Sequence, residues 1–323
     1  MRDISAIICT HNPHRDHLRR TLEALRAQTF CTDRWELLIV DNASTPPVAD
    51  SCELSWHKQG RHVREESLGL TSARMRGLKN ASGKLLVFVD DDNVLDPGYL
   101  QEAWAIAAQC PWLGVFGAGV LEPEFEIPPP ADINPYLQML ALRTVAEPAW
   151  STDPNDARVI PWGAGLCLTR GVAALYQQIV ARADITCVLD RKGDNLFSGG
   201  DDLFSWVAAF AGRGFGIFPR LRATHLISAD RLTREYFVKL IRDRAFSNSV
   251  LYYALTGLQP RLKWTRYLRL LLRGLRHGPF AMRCQWAAYV GQDTAAQFIG
   301  DRRLQPARLF AGGAATFQGG VLM

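Results

Sequence analysis

Three short runs of β-branched and leucine-rich residues, 4–9, 36–40 and 84–89, each stop abruptly at polar residues, as strands buried on both faces of a sheet do. Between them the spacing turns helical: Leu18, Leu22 and Leu25 share one face, and so do Leu70, Ala73 and Gly77. Leu100, Ala103, Trp104 and Ala107 repeat that spacing ahead of another apolar run at 113–118. Strand, helix, strand, helix predicts an α/β fold, with a mainly parallel Rossmann-like sheet, right-handed crossovers and helices on both faces. In open sheets of this kind ligands bind beyond the carboxyl ends of the strands. The polar residues at those ends are Thr10-His11-Asn12, Asp41-Asn42-Ala43-Ser44 and Asp90-Asp91-Asp92-Asn93, and all three clusters should gather along one edge.

The second half is punctuated differently. Residues 122–161 are rich in proline, including Pro128-Pro129-Pro130, and read as an ordered insertion or an acceptor-side loop. Regularity returns with a strand-like stretch at 162–168, then Val172, Leu175, Tyr176 and Ile179 on one helical face. A helix introduced by Gly199-Gly200-Asp201-Asp202 has Leu203, Trp206, Val207 and Phe210 as its apolar stripe. After Gly212-Arg213-Gly214 a last strand is expected at 215–218, followed by Thr224-His225.

With 323 residues, 48% hydrophobic and 21% charged, the chain can build a full core, which excludes disorder and a disulfide-stapled miniprotein. Seven scattered cysteines without a C-x-x-C pair argue for reduced thiols in a cytosolic compartment rather than a zinc site. No apolar signal core opens the chain, and no stretch reaches the roughly 18 apolar residues of a spanning helix, so a soluble or peripheral protein is expected. The net charge of +5 is uneven: residues 257–323 hold ten Lys/Arg against two Asp/Glu, which leaves a mildly acidic body. That balance argues against nucleic acid lying across the main domain and for a tail that touches an anionic surface.

Three carboxylates closing a hydrophobic strand, Asp90-Asp91-Asp92, repel one another at neutral pH and need either full solvation in a turn or a cation. An EF-hand fails on spacing, because Leu95 and Gln101 stand where glycine and glutamate are required. Magnesium or manganese shared with a phosphate fits better. Asp41 ends the second strand, where an acid either accepts hydrogen bonds from a base or ribose or simply caps the loop. Gly77 to Lys84 has one residue too many for a P-loop and Leu85 where Ser or Thr should follow, while Gly212-Arg213-Gly214-Phe215-Gly216 lies between helix and strand, the wrong order for a dinucleotide fingerprint. His11, His14 and His17 read as solvated or donor-contacting residues rather than a metal site.

Taken in order, Ala6-Ile7-Ile8-Cys9-Thr10-His11-Asn12, Leu38-Ile39-Val40-Asp41-Asn42-Ala43-Ser44, Gly69-Leu70-Thr71-Ser72-Ala73-Arg74 and Val89-Asp90-Asp91-Asp92 resemble the successive nucleotide-sugar-binding motifs of family 2 glycosyltransferases. The resemblance spans about residues 4–230. It implies a GT-A catalytic domain over 1–230, with 1–120 binding the nucleotide sugar and 121–230 the acceptor, followed by a helical extension over 231–323. It implies a nucleoside-diphosphate sugar donor, a UDP-sugar in the first place, a glycan or lipid-linked acceptor, and Mn2+ or Mg2+. Thr10, Asn12, Asp41 and Arg74 would line the nucleotide; Asp90, with Asp91 beside it, would approach the ribose, and Asp92 would hold the metal. Met75 departs from the family's pattern, which often has Asn there.

Gly199-Gly200-Asp201 resembles the family's segment presenting the catalytic base, and counting to Gly212 favours Asp201 over the adjacent Asp202. A helix cap is the plain alternative for such an aspartate. His225 matches the histidine that completes the metal site in many relatives. One base without a paired nucleophile implies inversion at the sugar carbon. A sugar-1-phosphate nucleotidyltransferase lacks support, since no glycine-rich, Arg-containing loop follows the first strand; a non-catalytic sugar-nucleotide-binding protein would not need Asp92, Asp201 and His225 together.

Over residues 262–276, Trp264, Leu268, Leu271, Leu272 and Leu275 lie on one helical face and Arg266, Arg269, Arg273 and Arg276 opposite, before Gly278-Pro279 breaks the run. Such a helix either lies on an anionic membrane at the cytoplasmic side or packs on the catalytic domain. With no spanning helices to extrude a polymer, transfer of a single sugar is expected.

Overall fold

The structure is a computed structural model that describes residues 2–182, 196, 199–259 and 266–302. In chain order the elements are β1 (Ile4–Thr10), α1 (Arg15–Arg26), β2 (Trp35–Asn42), β3 (Gly60–Glu65), α2 (Leu70–Asn80), β4 (Leu85–Val89), β5 (Asn93–Leu95) and α3 (Tyr99–Gln109). There follow β6 (Leu113–Phe125), β7 (Arg143–Thr144), β8 (Ala149–Ser151), β9 (Leu166–Thr169), α4 (Arg170–Arg182), α5 (Gly200–Phe210), β10 (Gly214–Ile227), α6 (Arg234–Thr256) and α7 (Arg266–Arg302).

One sheet organises all of it, in the order β3-β2-β1-β4-β9-β6-β10-β5, with β7 added on β6 and β8 on β10. The four longest pairings, β1 with β2, β1 with β4, β2 with β3 and β6 with β10, are parallel. The antiparallel β9 joins the two parallel halves. The α/β expectation of a mainly parallel sheet is met, and so is that of helices on both faces. Along β1, Ile4, Ala6 and Ile8 pack with Leu18, Leu25, Leu100 and Ile106 of α1 and α3. Ile7 points the other way, into a cluster with Ala73 of α2, Tyr176 of α4 and Leu203 of α5. Strand side chains alternate sides, so a strand apolar throughout must be covered twice, at about 1.5–3 kcal/mol for each fully buried side chain.

Two elements differ from expectation. β3, Gly-Arg-His-Val-Arg-Glu, is an edge strand with only half-buried and exposed residues, so it has no apolar run. β10 does not stop at Phe218. The register shifts between Phe218 and Arg222, around Pro219, and the strand then resumes to Ile227. His225 therefore lies inside the last strand rather than after it. Residues 122–161 are ordered, as expected, by the end of β6, a 3-10 stretch at Ala131–Leu140 and the short strands β7 and β8.

α6 and α7 are not a free-standing appendage. Val250, Leu251 and Leu255 of α6 and Ala295 and Ile299 of α7 belong to the same apolar cluster as Ile7 and Leu86. α7 is broken at Gly278, φ 86°, next to Pro279. The expected amphipathic face at 262–276 falls largely on residues outside the described side chains, and so does Cys187. No helix among the described residues is long and apolar enough to cross a membrane.

Candidate active site

The loops at the carboxyl ends of β1 and β2 are stapled to each other. Asn12 takes the left-handed conformation, φ 47°, which Asn tolerates better than most residues. Its backbone N–H donates to Ser44 Oγ and its Oδ1 accepts from Thr45 N–H, both at 2.9 Å. Asp41 is buried and fully engaged: Oδ1 accepts from Ser44 N–H, and Oδ2 accepts from Val48 N–H and from Arg64 Nη1 at 2.6 Å. Burial alone would raise its carboxyl, but these hydrogen bonds outweigh burial and hold it below the ordinary carboxylate range. In this state Asp41 performs the loop-capping role of its two sequence readings. The neighbouring Asn42 donates to Glu65 and Ser67 carbonyls and accepts from Gly69 N–H at 2.8 Å, which fixes the entry to α2.

α2 carries Arg74 into the interior, where it is 4% exposed. Its guanidinium lies between the rings of Phe88 and Phe204, 5.7 and 5.6 Å from their centroids, and its Nη2 donates to Asp201 Oδ1 at 2.5 Å. Burial works against that charge, but the Asp201 and Asp90 carboxylates outweigh it, so the guanidinium stays firmly protonated. Gly163 N–H donates to the other oxygen of Asp201 at 2.9 Å. The Gly-Gly-Asp spacing has a steric reason: a Cβ on Gly200 would come 2.6 Å from Arg74 Nη1. Asp202 lies one step round the first turn of α5. Burial pushes its carboxyl up to about 6, opposed by the positive charge of Arg244 on α6.

Asp90, Asp91 and Asp92 form the turn between β4 and β5, closed by Asn93 N–H on the Asp90 carbonyl at 3.1 Å. Burial raises Asp90, and the charges of Asp92 and Asp201 raise it further, while Arg74 and His225 oppose them. The charged neighbours of Asp90 thus include the strand-end acids and the Arg74–Asp201 pair of α2 and α5. Burial and Asp92 likewise raise Asp91, whose Oδ2 accepts the hydroxyl proton of Thr10.

The antiparallel register of β5 and β10 sets His225 opposite Asn93, one residue from Asp92. His225 Nδ1 sits 2.8 Å from the Leu140 carbonyl, a contact that needs a proton on Nδ1, and turns Nε2 towards Asp92. That Nε2 is 3.2 Å from Asp92 Oδ2. Arg231 Nη1 donates to both, at 2.9 Å to Oδ2 and 3.1 Å to Nε2. Asp92 Oδ1 accepts from Asn93 Nδ2 at 3.0 Å.

Among the described residues no three of His, Cys, Asp and Glu close on one point. The donors that fit a divalent ion are therefore two, Asp92 Oδ2 and His225 Nε2, a carboxylate oxygen and an imidazole nitrogen aimed at one cationic partner. The structure brings Arg74, Asp90, Asp92, Asp201 and His225 together, with Thr10 attached through Asp91. Asn12 and Asp41 hold the adjacent loops, and Asp202 feels the positive charge of Arg244 on α6. Sequence reasoning missed Arg231, whose one signal is a basic residue on the first turn after the strand that carries His225. It also missed Asn42, which looked like a spare member of a polar cluster.

Residues 5–121 match the family model described as Glycosyl transferase family 2. Glycosyltransferase GlyA of Streptococcus pneumoniae is 29% identical over 100 residues, 30% of this chain and 14% of that protein. EpsH of Bacillus subtilis is 29% identical over 101 residues, 31% of this chain and 28% of that protein. The validoxylamine A glucosyltransferase of Streptomyces hygroscopicus is 36% identical over 110 residues, 32% of this chain and 24% of that protein. The matched segment thus spans less than a third of each relative's length. A mannosyltransferase from Pyrobaculum calidifontis, solved with GDP-mannose and Mn2+, superposes with a TM-score of 0.55 at 15% identity, over 94% of this chain and 80% of that one. At that identity the likeness is one of fold, and the fold is GT-A. On the family match and the named relatives, residues 5–121 are similar to the family 2 glycosyltransferases.

Proposed function

We propose that this chain transfers one sugar, with inversion, from a nucleoside-diphosphate sugar to a hydroxyl of a glycan or lipid-linked acceptor. The observation that carries the reading is a pair of long-range contacts at the strand ends: Arg74 of α2 meets Asp201 of α5 at 2.5 Å, and Asp92, beyond β4, meets His225 of β10 at 3.2 Å. A UDP-sugar is the proposed donor. Thr10, Asn12, Asp41, Arg74, Asp90 and Asp91 form the nucleotide side of the cleft. Asp92 and His225 would hold Mn2+ or Mg2+, which when bound would neutralise charge on the diphosphate.

Asp201 is the proposed base. It stands at the start of α5 with a side chain 31% exposed and paired with Arg74, whereas burial raises the carboxyl of Asp202. Asp201 takes the proton of the acceptor hydroxyl as that oxygen bonds to the anomeric carbon and the bond from that carbon to the diphosphate oxygen breaks. The ion pair with Arg74 holds the Asp201 carboxylate at the start of α5, and a diphosphate entering beside Arg74 would draw the guanidinium away from it. Catalytic contacts commonly tighten only when substrate is bound.

Asp201→Asn should therefore bind UDP as wild type does, by calorimetry, yet lose transfer by about two orders of magnitude or more in a sugar-release assay. Asp202→Asn should retain most of the transfer. Full turnover in Asp201→Asn would remove that residue from the mechanism.

A further inference from the structure

The point between Asp92 and His225 is already filled by a side chain. Arg231 stands on the 3-10 turn Ala229–Leu232, directly after β10. Asp92 Oδ2 and His225 Nε2 are 3.2 Å apart, and the guanidinium of Arg231 contacts both, at 2.9 and 3.1 Å, while His225 Nδ1 faces the Leu140 carbonyl on the far side of the ring. The same two atoms are the donors available to a divalent ion, which would sit about 2.0–2.2 Å from each and leave Nη1 no room.

A second observation concerns the rest of the guanidinium. The guanidinium lies over the Tyr236 ring, 5.9 Å from its centroid, but Arg231 Nε is buried and has no hydrogen-bond acceptor among the described residues. An unsatisfied buried donor is expensive, and one on an arginine at the edge of this cleft points to an anion with oxygen atoms to spare.

We infer that Arg231 is the resident counter-cation of the Asp92–His225 pair, and that a divalent ion enters only by displacing it. The diphosphate of the donor supplies the ion with further oxygen ligands and Arg231 with a new anionic partner. This deepens the nucleotide-sugar reading above and rests on it. Its consequence is strong coupling: ion alone binds weakly because it must evict a cation, and ion with diphosphate binds well because the evicted cation has somewhere to go.

The test is a titration of the full chain with Mn2+, with and without UDP, read by the electron paramagnetic resonance signal of free Mn2+. Wild type, Arg231→Gln, Arg231→Met and Arg231→Lys are compared, with far-UV circular dichroism to establish that each is folded. The uncharged variants should bind Mn2+ alone about tenfold or more tightly than wild type, and the gain from adding UDP should shrink correspondingly. Arg231→Lys, which keeps a cation at the point, should stay near wild type. Equal Mn2+ affinity in wild type and a folded uncharged variant overturns the inference. So does UDP binding that needs no Mn2+ and is lost in the uncharged variants, since Arg231 would then replace the ion rather than yield to it. If UDP binds to none of the four proteins the UDP-sugar reading fails, while the Mn2+ titration still decides whether arginine and ion compete.

Discussion

A methyl group at position 200 would meet Arg74 Nη1 at 2.6 Å, and Arg74 cannot retreat far, because Phe88 and Phe204 flank it. Gly200→Ala should therefore shift the guanidinium off Asp201 and lower transfer by roughly 10- to 100-fold, measured as kcat/KM. Helix content should stay unchanged. Asp41 allows a prediction with a pH sign. Its carboxyl is held low by three donors against the effect of burial. A depressed acid contributes stability that is present above its unfolded value, about 3.9, and lost as pH falls through its folded value. Asp41→Asn should thus lower the urea midpoint at pH 7, with the gap to wild type narrowing below about pH 4. A gap that stays constant with pH would show that the charge of Asp41 does not contribute.

At the scale of elements, the site is assembled by pairings rather than by any one segment. Asn42 bridges β2 to the loop that launches α2, so Asn42→Ala should leave Gly69 N–H and two carbonyls without that partner. The expected cost is about 1–3 kcal/mol in unfolding free energy, with faster proteolysis between residues 65 and 70. β1, β2 and β4 were legible in the sequence because strands covered on both faces must be apolar throughout, and their polar ends marked the ligand edge. β3 was hidden because an edge strand needs no apolar run. The second half of β10 was hidden because Pro219 interrupts the pattern while the sheet tolerates the irregularity. That concealed why His225 meets Asp92: they are neighbours through β5, a three-residue strand too short for periodicity to reveal. Arg231 was invisible for a related reason, since an ion pair across 139 residues leaves no periodic trace.

On the scale of the whole molecule, the two helices beyond β10 complete the core instead of trailing from it. A Cβ on Gly291 of α7 would come 2.1 Å from the Arg242 carbonyl of α6, so the helices touch backbone to backbone there. Gly291→Val should force them apart and cost about 1–3 kcal/mol, seen as a lower melting temperature. The exposed Leu275 and Trp286 leave part of α7 uncovered.

The central claim is that acids far apart in sequence, Asp90 and Asp92 on one side and Asp201 on the other, enclose a single site for a nucleoside diphosphate and its cation. Calorimetric titration of UDP in Mn2+ against wild type and Asp92→Asn tests it most directly. The account predicts that the variant, folded by circular dichroism, loses affinity at least about tenfold in Mn2+, while without Mn2+ the two proteins differ little. Undiminished, Mn2+-dependent binding of UDP by Asp92→Asn would contradict it.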